Sequence, residues 1–316
     1  MTAITSHTAS ARAPPAGVYT PLVTFFNTDE SLDLPAIRSH ALRIAQGGVA
    51  GLVIHGSNGE AVHLDNAERQ TVIREVRSVL SENGYPKLPL IVGCGLPSRI
   101  ATVRLTKEAK EAGGDYALVL PPSYWPGAMT KPVILDFFEN VANESPLPVL
   151  VYNFPMVANG VNIDSDTMIQ LAQHANIVGC KLTCGNLGNL HRVASHTSPE
   201  SFAVLSGKAE FALHGFVGGA SGCIAALVNI APKAHAALFR AWTSGDLKKA
   251  KEIQDLLSDA DLAQSKLGVS GLKLAVSKYF GYGSGIARSP LQKGNETTLS
   301  AQEAQLSKLV EFESSL

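Results

Sequence analysis

Eight short apolar runs recur along the first 245 residues. Each closes on a Gly, Pro, Asn or Thr cluster and then gives way to a segment of helical period. They cover residues 18–26, 51–56, 89–95, 116–121, 148–153, 177–183, 202–207 and 222–229, with starts 20 to 38 residues apart. Such spacing accommodates a crossover helix or a short substitute between parallel strands. The runs lack polar alternation, as strands covered on both faces do. Eight β-α units without a second compositional regime predict a (β/α)8 TIM barrel rather than an open doubly wound sheet, and a single domain of this kind uses about 250 residues.

The intervening segments read as helices. Residues 34–45 follow Asp33 as N-cap, and 98–112 begin at a capping Ser98. Residues 65–80 carry Glu68, Arg69, Glu75 and Arg77 on what reads as the polar side, and 131–142 and 165–174 follow the same logic. After the eighth unit the pattern changes. Residues 231–244, 247–266 and 269–280 read as consecutive helices, with a final one near 300–312. The expected organisation is a loosely ordered tail over 1–16, a barrel over 17–245, and a C-terminal helical extension over 246–316 packed on the barrel.

Composition excludes several classes of function. Lys and Arg number 26 against 27 Asp and Glu, so the basic surplus that nucleic-acid phosphates demand is missing. The longest apolar stretch, 222–239, is broken by Asn229, Pro232, Lys233 and His235, and no membrane span is expected. Four cysteines without a C-x-x-C read as reduced, buried thiols in a cytoplasmic protein. The first sixteen residues are small, Ser/Thr-rich and acid-free with a single Arg12, which fits a tail better than a mitochondrial leader. Nine histidines show neither H-x-H nor H-E-x-x-H, so no metal site is expected. Gly93-Cys-Gly95 lacks the third glycine of a dinucleotide fingerprint, and FGYGSG at 280–285 is no phosphate loop.

In a (β/α)8 barrel the reactive groups project from the C-terminal ends of the strands, and three windows stand out there. Alternation places Ile177, Gly179, Lys181 and Thr183 on one face of the sixth run. If that face is lumenal, a lysine sits in an apolar barrel with Gly179 leaving room beside it. Burying an ammonium is costly unless it is paired or loses its proton, and a neutral lysine amine is the nucleophile that forms Schiff bases with carbonyl substrates. A buried Lys–Glu pair is the alternative. Tyr152 shares a face with Leu150 on the neighbouring run, where its phenol suits proton relay, or else serves as a core tyrosine. GSNGE, residues 56–60, ends the second run. Its glycines permit a turn presenting backbone N–H groups to a carboxylate, although a plain strand-to-helix turn with Glu60 as a first-turn acid also fits. Together the windows point to a 2-oxo acid.

These residues resemble the dihydrodipicolinate synthase/N-acetylneuraminate lyase family of Schiff-base pyruvate aldolases. The likeness runs from about Val18 to Gln292 through GVYTPLVTFF, GLVIHGSNGEAVHL, PLIVGCG, LVLPPSYW, PVLVYNFP, NIVGCKLT, VLSG and GLKLAVSKYFGYGSGIARSPLQ. It implies that Lys181 forms the imine and that Tyr152 transfers protons. The substrate carboxylate falls to Ser57, Asn58 and Gly59. Asn58 departs from the family's usual threonine, which removes a hydroxyl relay there. The resemblance also implies that Tyr124 enters a neighbouring protomer's site, that the protein is a homo-oligomer, and that no cofactor is needed beyond the covalent imine. Gly207 ends the seventh run and joins the expected substrate contacts, and Lys208 and Glu210 just past it read either as contacts for a hydroxylated or acidic substrate tail or as surface residues of a loop. Dihydrodipicolinate synthases carry an arginine shortly after YNxP. Here residues 153–180 contain no Lys or Arg, so a bidentate carboxylate clamp is missing from this wall. The pattern looks closer to 4-hydroxy-2-oxoglutarate aldolases and 2-keto-3-deoxy-sugar-acid aldolases, and the expected reaction is cleavage of a 4-hydroxy-2-oxo acid to pyruvate and an aldehyde. Condensation of pyruvate with aspartate semialdehyde, an imine-forming dehydratase and a non-catalytic 2-oxo-acid-binding barrel are the rivals.

Overall fold

The computed structural model describes residues 12–316. Eight parallel strands close into a barrel in chain order. They are β1 (Gly17–Pro21), β2 (Gly51–Ile54), β3 (Leu90–Gly93), β4 (Tyr116–Val119), β5 (Val149–Asn153), β6 (Ile177–Leu182), β7 (Ala203–Ser206) and β8 (Gly222–Ile224). Each lies within or beside one of the eight apolar runs. β1 and β8 stop well short of the predicted ends, and after β8 Ala226–Asn229 winds into a 3-10 helix.

One side chain from every strand fills the lumen: Tyr19, Val53, Ile91, Leu118, Leu150, Val178, Leu205 and Ile224. Their neighbours in sequence, such as Leu52, Ile54, Leu90, Val92 and Val149, pack outward against the helices. This double burial is why the strands read as unbroken apolar runs.

β6 breaks the expected alternation. Val149 pairs with Ile177, but Leu150 pairs with Gly179, so Val178 is an extra residue in a bulge. Ile177 therefore joins the outer layer and Val178 the lumen. Beyond the bulge Cys180 and Leu182 face outward as predicted, and Lys181 reaches the lumenal Tyr152. Gly179 does not make room for the lysine. A Cβ there would lie 2.6 Å from the Ala203 carbonyl oxygen, so it is the neighbouring strand that requires glycine.

The helices between strands are α1 (Leu34–Gln46), α2 (Asn66–Glu82), α3 (Arg99–Ala112), α4 (Lys131–Glu144), α5 (Ser165–Leu171), α6 (Leu187–Ser195) and α7 (Ala212–Val217); α8 (Pro232–Thr243) closes the barrel. Asp33 and Ser98 cap α1 and α3 through the amides of Ala36 (3.0 Å) and Ala101 (3.3 Å). Asp65 and Glu68 form a reciprocal capping box on α2. Arg69 is not on a polar face. It is buried under α2 and donates to the carbonyls of Ala61 (3.0 Å) and Gly93. A long side chain can cross an apolar layer in this way when carbonyls at its far end satisfy the guanidinium.

The extension comprises α9 (Leu247–Ser265), α10 (Gly268–Phe280), α11 (Glu296–Ala301) and α12 (Glu303–Ser315). The expected final helix is thus two, broken at Gln302. It docks through the fully buried Leu299, Leu306 and Leu309 and through Glu313. The Glu313 carboxylate accepts from the amides of Lys233 (3.0 Å) and Ala234 (2.8 Å), placing an acid on the N-terminus of α8. At the other end of the chain, the tail expected over 1–16 falls partly on residues 1–11, outside the described residues. The rest is not loose. Ala13 packs on the lumenal cluster, and Tyr19 Oη donates to the Pro15 carbonyl (2.6 Å), closing the N-terminal end of the barrel. Among the described residues no helix is long and apolar enough to cross a membrane.

Candidate active site

Tyr152 and Lys181 are direct partners across the β5–β6 pair. Lys181 Nζ donates to Tyr152 Oη at 3.1 Å and sits 4.2 Å from the centre of the tyrosine ring. Both residues are only 3% exposed. Among the described residues no carboxylate lies within 4.0 Å of the ammonium, so the buried Lys–Glu alternative does not hold at this position. Phe154 stacks on Tyr152 at 5.8 Å and narrows the slot the phenol occupies.

The buried Lys–Glu pair exists elsewhere. Ser57–Gly59 forms one 3-10 turn, and Glu60 follows in the left-handed region with φ of 51°. Glu60 is no solvent-facing first-turn acid: its side chain is buried, ion-paired with the equally buried Lys273 of α10, and accepts from the Arg288 amide at 3.0 Å. Burial pushes the Lys273 ammonium below its ordinary value while Glu60 opposes that shift. Arg288 in turn grips both carboxylate oxygens of Glu68 (2.6 and 2.7 Å) and the His63 carbonyl (2.6 Å). That contact lowers the Glu68 carboxyl from its ordinary value. The helical extension therefore braces the turn.

Within the turn, the amides of Gly59 and Glu60 donate to the carbonyls of Gly56 and Ser57, and Gly59 O accepts from Thr24 Oγ1 (2.8 Å). Gly59 is buried and does not line the cavity, contrary to its expected place among the substrate contacts. Its amide closes the turn instead. The amides of Ser57 and Asn58 enter no such turn hydrogen bond among the described residues, and both side chains line the cavity.

That cavity measures about 380 Å³ and brings together Ser57, Asn58, Tyr152, Lys181, Gly207, Lys208 and Glu210. Gly207 is required by close approach: a Cβ would lie 2.1 Å from Thr183 Oγ1. Lys208 Nζ and Glu210 Oε1 pair at 2.7 Å. Tyr124 is elsewhere. It is 73% exposed, edge-on to Trp125 at 5.0 Å, and lines a separate hollow with Met129 and Phe137, so within one chain it does not reach Lys181. A second cavity of about 340 Å³ shares Ser57 and Tyr152 with the first but is walled by Val62, Leu118, Leu120 and Val157. Its one arginine, Arg69, is engaged by two carbonyls. The wall after YNFP offers Met156 and Val157, neither of which can clamp a carboxylate. Among the described residues no three His, Cys, Asp or Glu side chains converge as a metal-binding group.

Three features had escaped sequence reasoning. Thr183 lines the cavity with its hydroxyl buried and unpartnered among the described residues, and its place two residues after Lys181 was the available signal. Asp261 of α9 also lines it, and burial pushes its carboxyl up to about 6, against the hydrogen bond from the Glu210 amide. The bracing by Lys273 and Arg288 lay in a stretch noted only for its likeness to a family.

A barrel with a lysine and tyrosine at the mouth of adjacent strands, beside a turn with open amides, defines a class of enzyme, and the comparisons name it. The model of the dihydrodipicolinate synthetase family matches residues 14–309. The chain belongs to that family and is an enzyme of it. It is 41% identical to the Emericella nidulans protein named "probable 4-hydroxy-2-oxoglutarate aldolase, mitochondrial", covering 95% of this chain and 96% of that one. Against the "L-threo-3-deoxy-hexylosonate aldolase" of Aspergillus niger the identity is 41%, with the same coverage. Among solved structures, a prophage protein of the dihydrodipicolinic acid synthase family from Escherichia coli K12, in complex with pyruvate, superposes with a TM-score of 0.86. It is 27% identical, over 93% of this chain and 98% of that one.

Proposed function

We propose that this enzyme is a class I aldolase that cleaves a 4-hydroxy-2-oxo acid to pyruvate and an aldehyde, with Lys181 as the imine-forming residue. The observation that carries the reading is a buried lysine 3.1 Å from a tyrosine hydroxyl and, among the described residues, without a carboxylate partner. The neutral amine of Lys181 attacks C2, and the carbonyl oxygen leaves as water after a carbinolamine. Tyr152 gives its proton to the departing water and, now a phenolate, takes the proton from the C4 hydroxyl as the iminium draws the C3–C4 bonding electrons into an enamine, releasing the aldehyde. Protonation at C3 and hydrolysis of the resulting imine then free pyruvate. Ser57 and Asn58 hold the substrate carboxylate through their amides and short side chains. No further cofactor is needed, because the iminium is itself the electron sink.

Tail recognition favours a hydroxylated chain, as in a 2-keto-3-deoxy sugar acid. Lys208 is the one cation besides Lys181 on this cavity's described wall, and Glu210 already neutralises it. Hydroxyls can hydrogen-bond to both partners of that pair, whereas a distal carboxylate meets a carboxylate as well as an ammonium. 4-Hydroxy-2-oxoglutarate is the second reading, favoured by the name of the Emericella relative. The missing arginine weighs against condensation with aspartate semialdehyde. Tyr124 belongs in this reading to a second copy of the chain, in a homo-oligomer.

Borohydride added with pyruvate should fix a reduced imine on Lys181, seen as added mass on its peptide. Lys181→Ala should show neither the adduct nor turnover. An unmodified Lys181, or activity in the variant, overturns the reading. Run over a panel of 4-hydroxy-2-oxo acids, the same assay ranks the substrates.

A further inference from the structure

The loop after β7 that carries Lys208 and Glu210 does not hold itself. Three residues of α9, Gln254, Ser258 and Asp261, lie at i, i+4 and i+7 and so share one helix face. All three bond to the backbone of that loop. Gln254 Nε2 donates to the Ala209 carbonyl (2.9 Å), and its Oε1 accepts from the Leu213 amide (2.8 Å). Ser258 Oγ donates to the Glu210 carbonyl (3.0 Å), and Asp261 Oδ2 accepts from the Glu210 amide (3.1 Å). Both backbone polar groups of Glu210 are thus tied to α9.

Asp261 is the odd member of this ladder. Gln254 and Ser258 are neutral, and holding an amide needs only an acceptor. Asp261 is a carboxylate with 8% exposure, and burying an ionisable group is costly. It also lines the cavity that contains Lys181. Gln264, Ser265 and Gly268 from the same region of the extension stand on that wall as well. The helical extension therefore supplies one side of the space into which a substrate bound at Lys181 must extend.

We propose that Asp261 is a positioning residue for substrate specificity: by fixing the Glu210 backbone it holds the Lys208–Glu210 pair where the hydroxylated tail beyond C4 must lie. The assignment rests on the aldolase reading for its substrate, but the ladder itself is independent of it. Without the Asp261 contact the Glu210 amide loses its acceptor, the loop relaxes toward solvent, and the paired side chains leave the cavity wall. Carbon–carbon cleavage at Lys181 and Tyr152 proceeds on other strands, so the effect falls on substrates in proportion to their tails.

The test compares a six-carbon 2-keto-3-deoxy sugar acid with 4-hydroxy-2-oxobutanoate, which has no tail beyond C4. In Asp261→Leu the ratio of kcat/KM for the long over the short substrate should fall about tenfold, with the loss in KM rather than kcat. Asp261→Asn, which keeps an acceptor for the Glu210 amide, should restore the ratio. Ser258→Ala, a milder change, should lower it less. Hydrogen exchange at the Glu210 amide should be slow in the wild type and in Asp261→Asn and fast in Asp261→Leu. Equal losses on both substrates, an unchanged ratio, or unchanged exchange in Asp261→Leu overturns the proposal. If the wild type forms no borohydride-trapped imine, the aldolase reading has failed instead, and the exchange result still decides whether Asp261 holds the loop.

Discussion

Two buried lysines, Lys181 and Lys273, show how the same residue type is given different partners. Lys273 meets Glu60 and the Ile286 carbonyl (2.8 Å), so its charge is paired and its amine is occupied. Among the described residues Lys181 hydrogen-bonds only to a phenol, and the proposed function asks its amine to attack a carbonyl. Tyr152→Phe keeps the ring against Lys181 but removes the proton acceptor. Its kcat should fall by about 10²–10⁴-fold, the usual worth of a positioned general base, while borohydride still traps pyruvate on Lys181. Asp261 yields a prediction about stability. Burial pushes its carboxyl from about 3.8 up to about 6 in the fold, with the Glu210 amide hydrogen bond and the Lys208 charge opposing the shift and the Glu210 charge adding to it. Between those values the folded state binds the extra proton, so stability declines as pH rises from about 4 to about 6 and stays lower above that. Asp261→Asn removes this dependence. Thermal melts should place it above the wild type at pH 7 to 8, by up to about 3 kcal/mol from a shift of roughly two units, and level with it near pH 4.

At the scale of elements, the GSNGE turn depends on a partner 228 residues away. Glu60 adopts a left-handed backbone conformation that only surrounding contacts can maintain in a residue with a Cβ. Lys273→Met leaves the Glu60 carboxylate buried without its counter-ion. Urea unfolding should show a loss of about 3–5 kcal/mol, and the paired change Glu60→Gln with Lys273→Met should lose less. Pyruvate trapping should weaken in the single variant, because the turn that presents the Ser57 and Asn58 amides loosens. The bulge in β6 acts on the same scale. It lets the strand bury Ile177 outward and Val178 inward, and still deliver Lys181 to the lumen.

For the whole molecule, the extension completes what the barrel begins. The extension braces the GSNGE turn through Lys273 and Arg288 and pins the loop after β7 through α9. Tyr124 points away from its own chain's Lys181, with an exposed ring pair beside it. If it serves a second copy, mixing Tyr124→Phe with Lys181→Ala, each inactive or nearly so alone, should restore activity. Random reassortment of a symmetric dimer regenerates about one site in four, read as recovery toward a quarter of wild-type turnover after subunit exchange. Recovery that never exceeds the sum of the two variants counts against this role for Tyr124.

Local chemistry was legible in the chain. Unbroken apolar runs at regular spacing mean strands buried on both faces, and that alone selects a closed β-α barrel. Lys181, Tyr152, Ser57 and Asn58 were singled out because such a barrel places candidate reactive groups at strand ends, and the structure brings the four to one cavity; the missing cation after YNFP could be counted directly. Tertiary structure decided the rest, because each remaining point is a contact between distant residues. Periodicity cannot show that an unpaired Val178 shifts the register of β6. Nor can it show that Gly59 closes a turn rather than facing substrate, that Arg69 crosses the core, or which of two buried lysines finds a carboxylate. A charge takes its role from its partner, and for Glu60 and Lys273, as for Glu210 and Asp261, the partner is chosen only when the extension folds back on the barrel.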